Sequence, residues 1–267
     1  MVIDSIGGSS TDDNMTSTKN GRRTIVLFGH AGNGKSSTGN SILGNKKPFK
    51  TKTGSGRVNH TILQSATMKN GEIINVIDTP GLFGAEVQDK FVSKEILRCK
   101  ELAEGGIHAL LVVFSVQNRF SKSDERVLHI LKEFFGPKVV DHVIVVFTGL
   151  DVLENDDGTL DDFVRLFPQP LQVIFIFKSI ISCFQDNFTI AILNFASVDR
   201  KADYMCIICL QNFIDICGGR FLFLDNKTRD EEKKEIQLQK LLNYVNQIDQ
   251  RNEGKPLSTD LLREPKA

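Results

Sequence analysis

Apolar residues in this chain fall into short dense blocks, and between the blocks lie stretches with a single apolar stripe at helical spacing. The block at 23–28 predicts a strand, followed by a helix from Lys35 to about Leu43, strands near 61–68 and 72–77, and a helix over 87–103. The alternation continues with a strand at 108–115 (HALLVVFS) and a helix at 123–135 that carries Val127, Ile130, Leu131 and Phe134 on one face. A strand at 142–147 (HVIVVF) and a late one in RFLFL complete it. Strands that are apolar on both faces need cover on both faces, so the pattern predicts an α/β fold with a doubly wound, mainly parallel sheet. Ligands of such sheets bind at the carboxyl ends of the strands.

Outside this alternation the chain changes character. Residues 1–21 are Ser, Thr, Gly, Asp and Asn without apolar periodicity and read as a disordered leader, with the domain proper over 22–250 and a flexible tail at 251–267. An amphipathic helix at 227–252, with Ile236, Leu238, Leu241, Leu242, Val245 and Ile248 on one face, reads as the last helix of the domain. Residues 173–210 are rich in Ile, Phe and Cys but have no helical period, and read as an atypical insertion. A retained intron is the working explanation, with genuine core or an interfacial hairpin left open. The apolar run at 171–193 is interrupted by Lys178, Gln185, Asp186 and Asn187, so it does not read as a membrane span.

Charge and cysteine content narrow the setting. Thirty-three basic and thirty-three acidic residues cancel without a basic block, which gives no footprint for nucleic acid. Five cysteines and the absence of a secretory pattern at the start point to a reduced, cytoplasmic protein, with peripheral attachment at endomembranes the one membrane mode left to it. Cys206 and Cys209 have the spacing of half a zinc site, but no second pair stands at ligand distance, so they read as buried thiols.

The chemistry lies in four short motifs. Gly29-His30-Ala31-Gly32-Asn33-Gly34-Lys35-Ser36 has the G-x-x-x-x-G-K-S spacing between a strand and a helix. There backbone N–H groups can surround phosphate oxygens, Lys35 can reach the outer phosphates, and the Ser36 hydroxyl can ligate Mg²⁺. Asp78-Thr79-Pro80-Gly81 follows a strand: Asp78 can hold the metal side and the Gly81 N–H can approach a terminal phosphate. Thr148-Gly149-Leu150-Asp151 puts a carboxylate where it can accept both N1–H and the 2-amino group of guanine, and Asn226, after RFLFL, would stand near the base. Together these favour GTP or GDP with Mg²⁺. A P-loop ATPase or kinase and a degenerate interaction protein are the rival readings.

These motifs, with STGNSILG at 37–44, INVIDTPGLFG at 74–84, LLVVFSVQNRFSKSDERVL at 110–128 and FLFLDNKTRDEEKK at 221–234, resemble the AIG-type GTPases, called GTPases of immunity-associated proteins in vertebrates and immune-associated nucleotide-binding proteins in plants. The resemblance implies a septin-related G domain, a slow GTPase stimulated by G-domain dimerisation, and a link to defence responses. Residue by residue it matches Gly29 through Ser37 to the phosphate loop, Thr51 to a hydroxyl position after Phe-Lys, Asp78 to the metal-side Asp, and Asp151 and Asn226 to the base contacts. Two positions depart or stand out. Val58 occupies the place of a switch Thr that ligates metal, and Thr61 or Thr53 would have to replace it from shifted positions. Leu82 stands where many small GTPases have a water-orienting Gln, a feature the family shares. Binding of guanine nucleotide is thus the firmer expectation and turnover the weaker one.

Overall fold

The computed structural model describes residues 21–44, 48–51, 60–83, 87–115, 122–149 and 212–258. Asp151, Thr53, Val58, the leader up to residue 20 and the 173–210 segment lie outside the described residues.

Six strands form one sheet: β1 (Arg22–Gly29), β2 (Ile62–Thr67), β3 (Ile73–Asp78), β4 (Ala109–Ser115), β5 (Val143–Thr148) and β6 (Phe221–Leu224). Their order is β2-β3-β1-β4-β5-β6. All neighbours run parallel except β2, which pairs antiparallel with β3 through the turn at 68–72. The predicted elements therefore stand within a few residues of their expected bounds, and the sheet is doubly wound. Because β3 lies on one side of β1 and β4 on the other, the chain reverses its winding direction at β1, and a crevice opens beyond the ends of β1 and β4.

Both faces of the sheet are covered, which is why β1, β4 and β5 are apolar at successive positions rather than alternate ones. On one face, α1 (Lys35–Leu43) and α4 (Glu231–Arg251) bury Ile42, Leu241, Val245 and Ile248 against Ile25, Leu27, Leu111 and Ile144. On the other, α2 (Asp89–Leu102) and α3 (Lys122–Phe135) bury Ile96, Cys99, Val127 and Leu131 against Val26, Phe28, Leu110 and Val145.

The last helix begins later than its apolar pattern suggests. Asp225 Oδ1 accepts the N–H groups of Lys227 and Thr228, closing a turn, and Asp230 then caps α4 by accepting from Glu232 and Lys233. Beyond α4 the chain turns back, and Leu257 exchanges both backbone hydrogen bonds with Ile107, at 2.8 and 3.1 Å. Residues 252–258, assigned to the tail by sequence, are thus tied to the start of β4, with Leu257 buried.

Candidate functional site

The loop after β1 is shaped by its glycines. At Gly29 φ is +152°, and a Cβ there would stand 2.4 Å from the Val113 carbonyl oxygen of β4. Gly34, at φ +86°, caps α1 in the left-handed region and lies against the Thr148 hydroxyl. Polar ties then fix the loop to two further strands. Asn33 Nδ2 donates to the Val113 carbonyl at 3.0 Å, and the Thr148 hydroxyl donates to the Asn33 carbonyl at 2.7 Å. The loop ends at the N-terminus of α1, where no side chain caps the helix and no acidic residue stands in the first turn, so none of its own side chains offsets the positive dipole end.

Lys35 folds over this loop, its Nζ donating to the carbonyls of Gly29 (3.1 Å) and His30 (2.9 Å). Burial pushes the ammonium down to about 8, with the Asp78 charge acting the other way. Ser36 donates to Asp78 Oδ2 at 2.5 Å, and burial raises the Asp78 carboxyl above the usual carboxylate range despite Ser36 and Lys35. The second oxygen, Asp78 Oδ1, is buried without a hydrogen-bond partner. A buried, half-satisfied carboxylate beside a serine hydroxyl is a hard oxygen donor set, and it fits a divalent cation such as Mg²⁺ that completes its shell with phosphate and water. Ser36 and Asp78 would hold that ion. Among the described residues no group of three or more His, Cys, Asp or Glu forms a separate metal cluster.

Gly81 closes this side of the crevice. A Cβ on it would come within 2.5 Å of the Ala31 nitrogen, so the Asp78–Gly81 turn and the phosphate loop lie in direct backbone contact. Thr79 holds the turn down by donating to the Leu27 carbonyl at 2.7 Å. Leu82 is buried in the α2-side core, so it offers no group to a water at the crevice.

The base-side residues are placed differently. Thr148 and Gly149 end β5, but the Thr148 hydroxyl is used within the fold. Asn226 lies on α1: Nδ2 donates to Thr38 Oγ1 at 3.1 Å and Oδ1 accepts from Ser41 at 2.8 Å. Beside it, burial alone would raise the Asp225 carboxyl, but the Lys227 N–H and the Lys233 ammonium, 3.1 Å away, hold it below the usual range. Ser37 stands one residue before Thr38 on the same turn. Thr51 is exposed, at the end of a segment that Asn40 anchors by bonding both the N–H and the carbonyl of Phe49 at 2.9 Å.

One expectation is corrected. Thr61 is not available to replace the switch Thr lost at Val58, because it is fully buried and donates both its N–H and its hydroxyl to Glu95 Oε2, each at 2.7 Å. Glu95 itself is buried on α2; burial would raise its carboxyl, but Thr61 and His60 keep it below the usual range. Sequence reasoning passed over Glu95, Asn33 and Asn40 as holding groups. The signal for Glu95 was there: it sits three residues after Val92 and four before Cys99, a carboxylate on an otherwise apolar stripe.

Comparison with known proteins identifies the family and the fold. A family model described as the AIG1 family matches residues 23–194 and 192–267. Immune-associated nucleotide-binding protein 9 of Arabidopsis thaliana is 39% identical over 99% of this chain and 66% of its own length. Immune-associated nucleotide-binding protein 1 of the same plant is 36% identical, with 91% of each chain covered. The chain spans two thirds or less of the length of several such relatives, among them proteins 8 and 12, at 56% and 51%. In fold it is similar to Arabidopsis thaliana Toc33 solved with GDP and Mg²⁺, with TM-score 0.51, 17% identity, and 88% and 86% of the two chains covered. A structure of the chloroplast translocon components Toc33 and Toc159 gives TM-score 0.54 at 20% identity, with 85% and 82% covered. These structural likenesses establish the P-loop G-domain fold.

Proposed function

This chain belongs to the AIG1 family, and from that premise we propose that it is a guanine-nucleotide-binding switch or scaffold that holds GTP or GDP with Mg²⁺. The observation that carries the reading is the convergence of Lys35, Ser36 and the unpartnered Asp78 Oδ1 at the N-terminus of α1. In this assignment the N–H groups of residues 29–37 surround the phosphates, and Lys35 neutralises the outer ones. Mg²⁺ lowers the charge of the phosphates, while Ser36 and Asp78 fix its position. Gly81 touches the terminal phosphate, Asp151 reads guanine with Thr148 and Gly149 shaping its turn, and Asn226 supports the base from α1. The names of the plant relatives, nucleotide-binding and immune-associated, support the nucleotide and a role in defence.

Hydrolysis is slow in this reading, since Leu82 is buried and Thr61 is committed to Glu95. Turnover then needs a group supplied across a homodimer of G domains, in the cytoplasm or peripherally at endomembranes. Displacement of a fluorescent GDP analogue tests the base assignment: GTP should compete and ATP should not, and equal potency of the two would defeat it. Single-turnover GTP cleavage measured against protein concentration tests the dimer, with a rate that rises with concentration expected. The second reading, a nucleotide-binding protein that does not hydrolyse, is favoured by the same two residues and predicts no cleavage at any concentration.

A further inference from the structure

β2 is an edge strand, paired with β3 on one side only among the described residues; its Ile62 end lies beside Asp78 and its Thr67 end beside Ile73, at the end of the sheet away from the phosphate loop. Its sequence, ILQSAT, holds no charge and no proline, the usual means of keeping an edge from pairing, and Ile62 is 45% exposed. Beside it, under the C-terminal end of α2, lies a cleft of about 460 Å³. Leu63 and Ile73 form apolar wall, the Ser65 hydroxyl lies on the strand side, and Arg22, Glu101 and Glu104 stand at the rim. No ion pair satisfies Glu101 or Glu104 among the described residues, so the rim carries an excess of negative charge.

We propose that β2 and this cleft form a docking surface for an extended segment of another protein carrying a lysine or arginine. The segment adds to the sheet along β2, which satisfies the free backbone groups of the edge. In a strand, alternate side chains point to the same face, so a residue paired beside Leu63 or Ser65 directs its side chain into the cleft. A long basic side chain fits what is there: its methylene stem lies along the apolar wall, at Leu63 or at Ile73 according to register, and its charged head turns toward the Glu101 and Glu104 rim. The cleft reaches down to Arg22, Thr67 and Ile73, away from the nucleotide crevice, so the basic side chain and a nucleotide can be held at once, although the Ile62 end of β2 borders Asp78.

The test uses the full chain loaded with GDP and a fluorescent, end-blocked hexapeptide alternating lysine and valine. A glutamate–valine peptide and a lysine–valine peptide with alternate amides N-methylated serve as controls. The basic peptide should bind and perturb the backbone amides of Leu63 and Thr67 in a nuclear magnetic resonance titration. Glu101→Lys with Glu104→Lys should weaken it at least tenfold with GDP binding unchanged, since both glutamates are exposed and far from the loop. The N-methylated peptide should also bind at least tenfold more weakly. Equal binding by the double variant or by the acidic peptide overturns the charge assignment. Equal binding by the N-methylated peptide overturns strand addition. Self-association of the chain through β2, abolished by the peptide, would assign the edge to a second copy and overturn the proposal.

Discussion

On the proposed phosphate side of the site, one stretch from Gly29 to Ser36 supplies most of the groups, and its shape comes from backbone: positive φ at Gly29 and Gly34, and direct contact of Gly81 with Ala31. On the proposed base side, Thr148 and Asn226 come from the ends of β5 and β6, and each spends its side chain on another element of the fold. The first kind of site is local in sequence and tolerates little change in its backbone. The second is assembled at long range by side chains that hold the loop and the helix in place. A change on the phosphate side should therefore abolish binding at little cost to the fold, whereas a change on the base side should cost some of each.

The largest effect is expected from Lys35→Met. The unfolded lysine titrates near 10.5 and the folded one near 8, so the penalty for burying the charge is absent above pH 10.5 and complete below about pH 8. At pH 7 this amounts to roughly 3 kcal/mol, an order-of-magnitude figure that an anion on the loop would offset. Removing the ammonium relieves that penalty and loses the bonds to the Gly29 and His30 carbonyls, worth about 1 kcal/mol each. GDP affinity by titration calorimetry should fall about a hundredfold or more, while the melting temperature without ligand should not fall. A parallel loss of both would mean that the loop is held chiefly by Lys35 rather than by its glycines.

Glu95→Ala should move the opposite quantity. It leaves the buried Thr61 N–H without an acceptor and the hydroxyl with only the long bond, 3.4 Å, to the backbone carbonyl of residue 95, a loss of about 2–3 kcal/mol of stability read by urea unfolding. Glu95→Gln retains an acceptor oxygen and should cost about 1 kcal/mol. If Glu95 only holds the fold, GDP affinity measured below the unfolding range stays unchanged in both.

The same contrast explains what was legible in the sequence. The order of elements, the sheet class and the phosphate loop could be read because strand burial and glycine spacing are local signals, and Gly29 through Ser36 lie together in one strand–loop–helix unit. The use of Thr148, Asn33 and Asn226 could not, because each is an ordinary polar residue near a strand or helix end. Its partner, Val113, Thr38 or Ser41, is set only once the sheet has brought distant segments together. Thr61 shows the same limit in reverse: it offered a hydroxyl near, though not at, the place of the switch Thr, and only the packing of α2 beside it turns that hydroxyl toward Glu95.

A pH titration sharpens the comparison from the far end of the sheet. His108 Nδ1 accepts the Thr24 N–H at 3.1 Å, and His142 Nδ1 lies 3.2 Å from the His108 carbonyl. Burial lowers both imidazoles below 6.5 in the folded protein. Their contribution to stability is thus complete above pH 6.5 and is lost as pH falls through 6.5 toward the lower folded values. Unfolding midpoints should fall over that range, and His108→Gln should flatten the fall. Identical pH curves for wild type and variant would place the sensitivity elsewhere.

The smallest effect, and the one that separates a base-side role from a purely structural one, is expected from Ser41→Ala. Ser41 does not touch the metal pair and meets the phosphate loop only at its helical end, where its hydroxyl lies 3.1 Å from the Ser37 carbonyl; its shorter bond, 2.8 Å, goes to Asn226, whose amide also donates to Thr38. If Asn226 acts on guanine from this position, losing that bond lets the amide turn while the phosphate contacts stay intact. One neutral hydrogen bond is worth about 0.5–1.5 kcal/mol, which corresponds to a loss of GDP affinity of about two- to twelvefold. Affinity for inorganic pyrophosphate, which has no base, should be unchanged. A variant that loses GDP and pyrophosphate equally would show that Ser41 works through the geometry of α1. One that loses neither, yet melts earlier, would assign Thr38, Ser41 and Asn226 to holding β6 against α1 and leave the base to the end of β5.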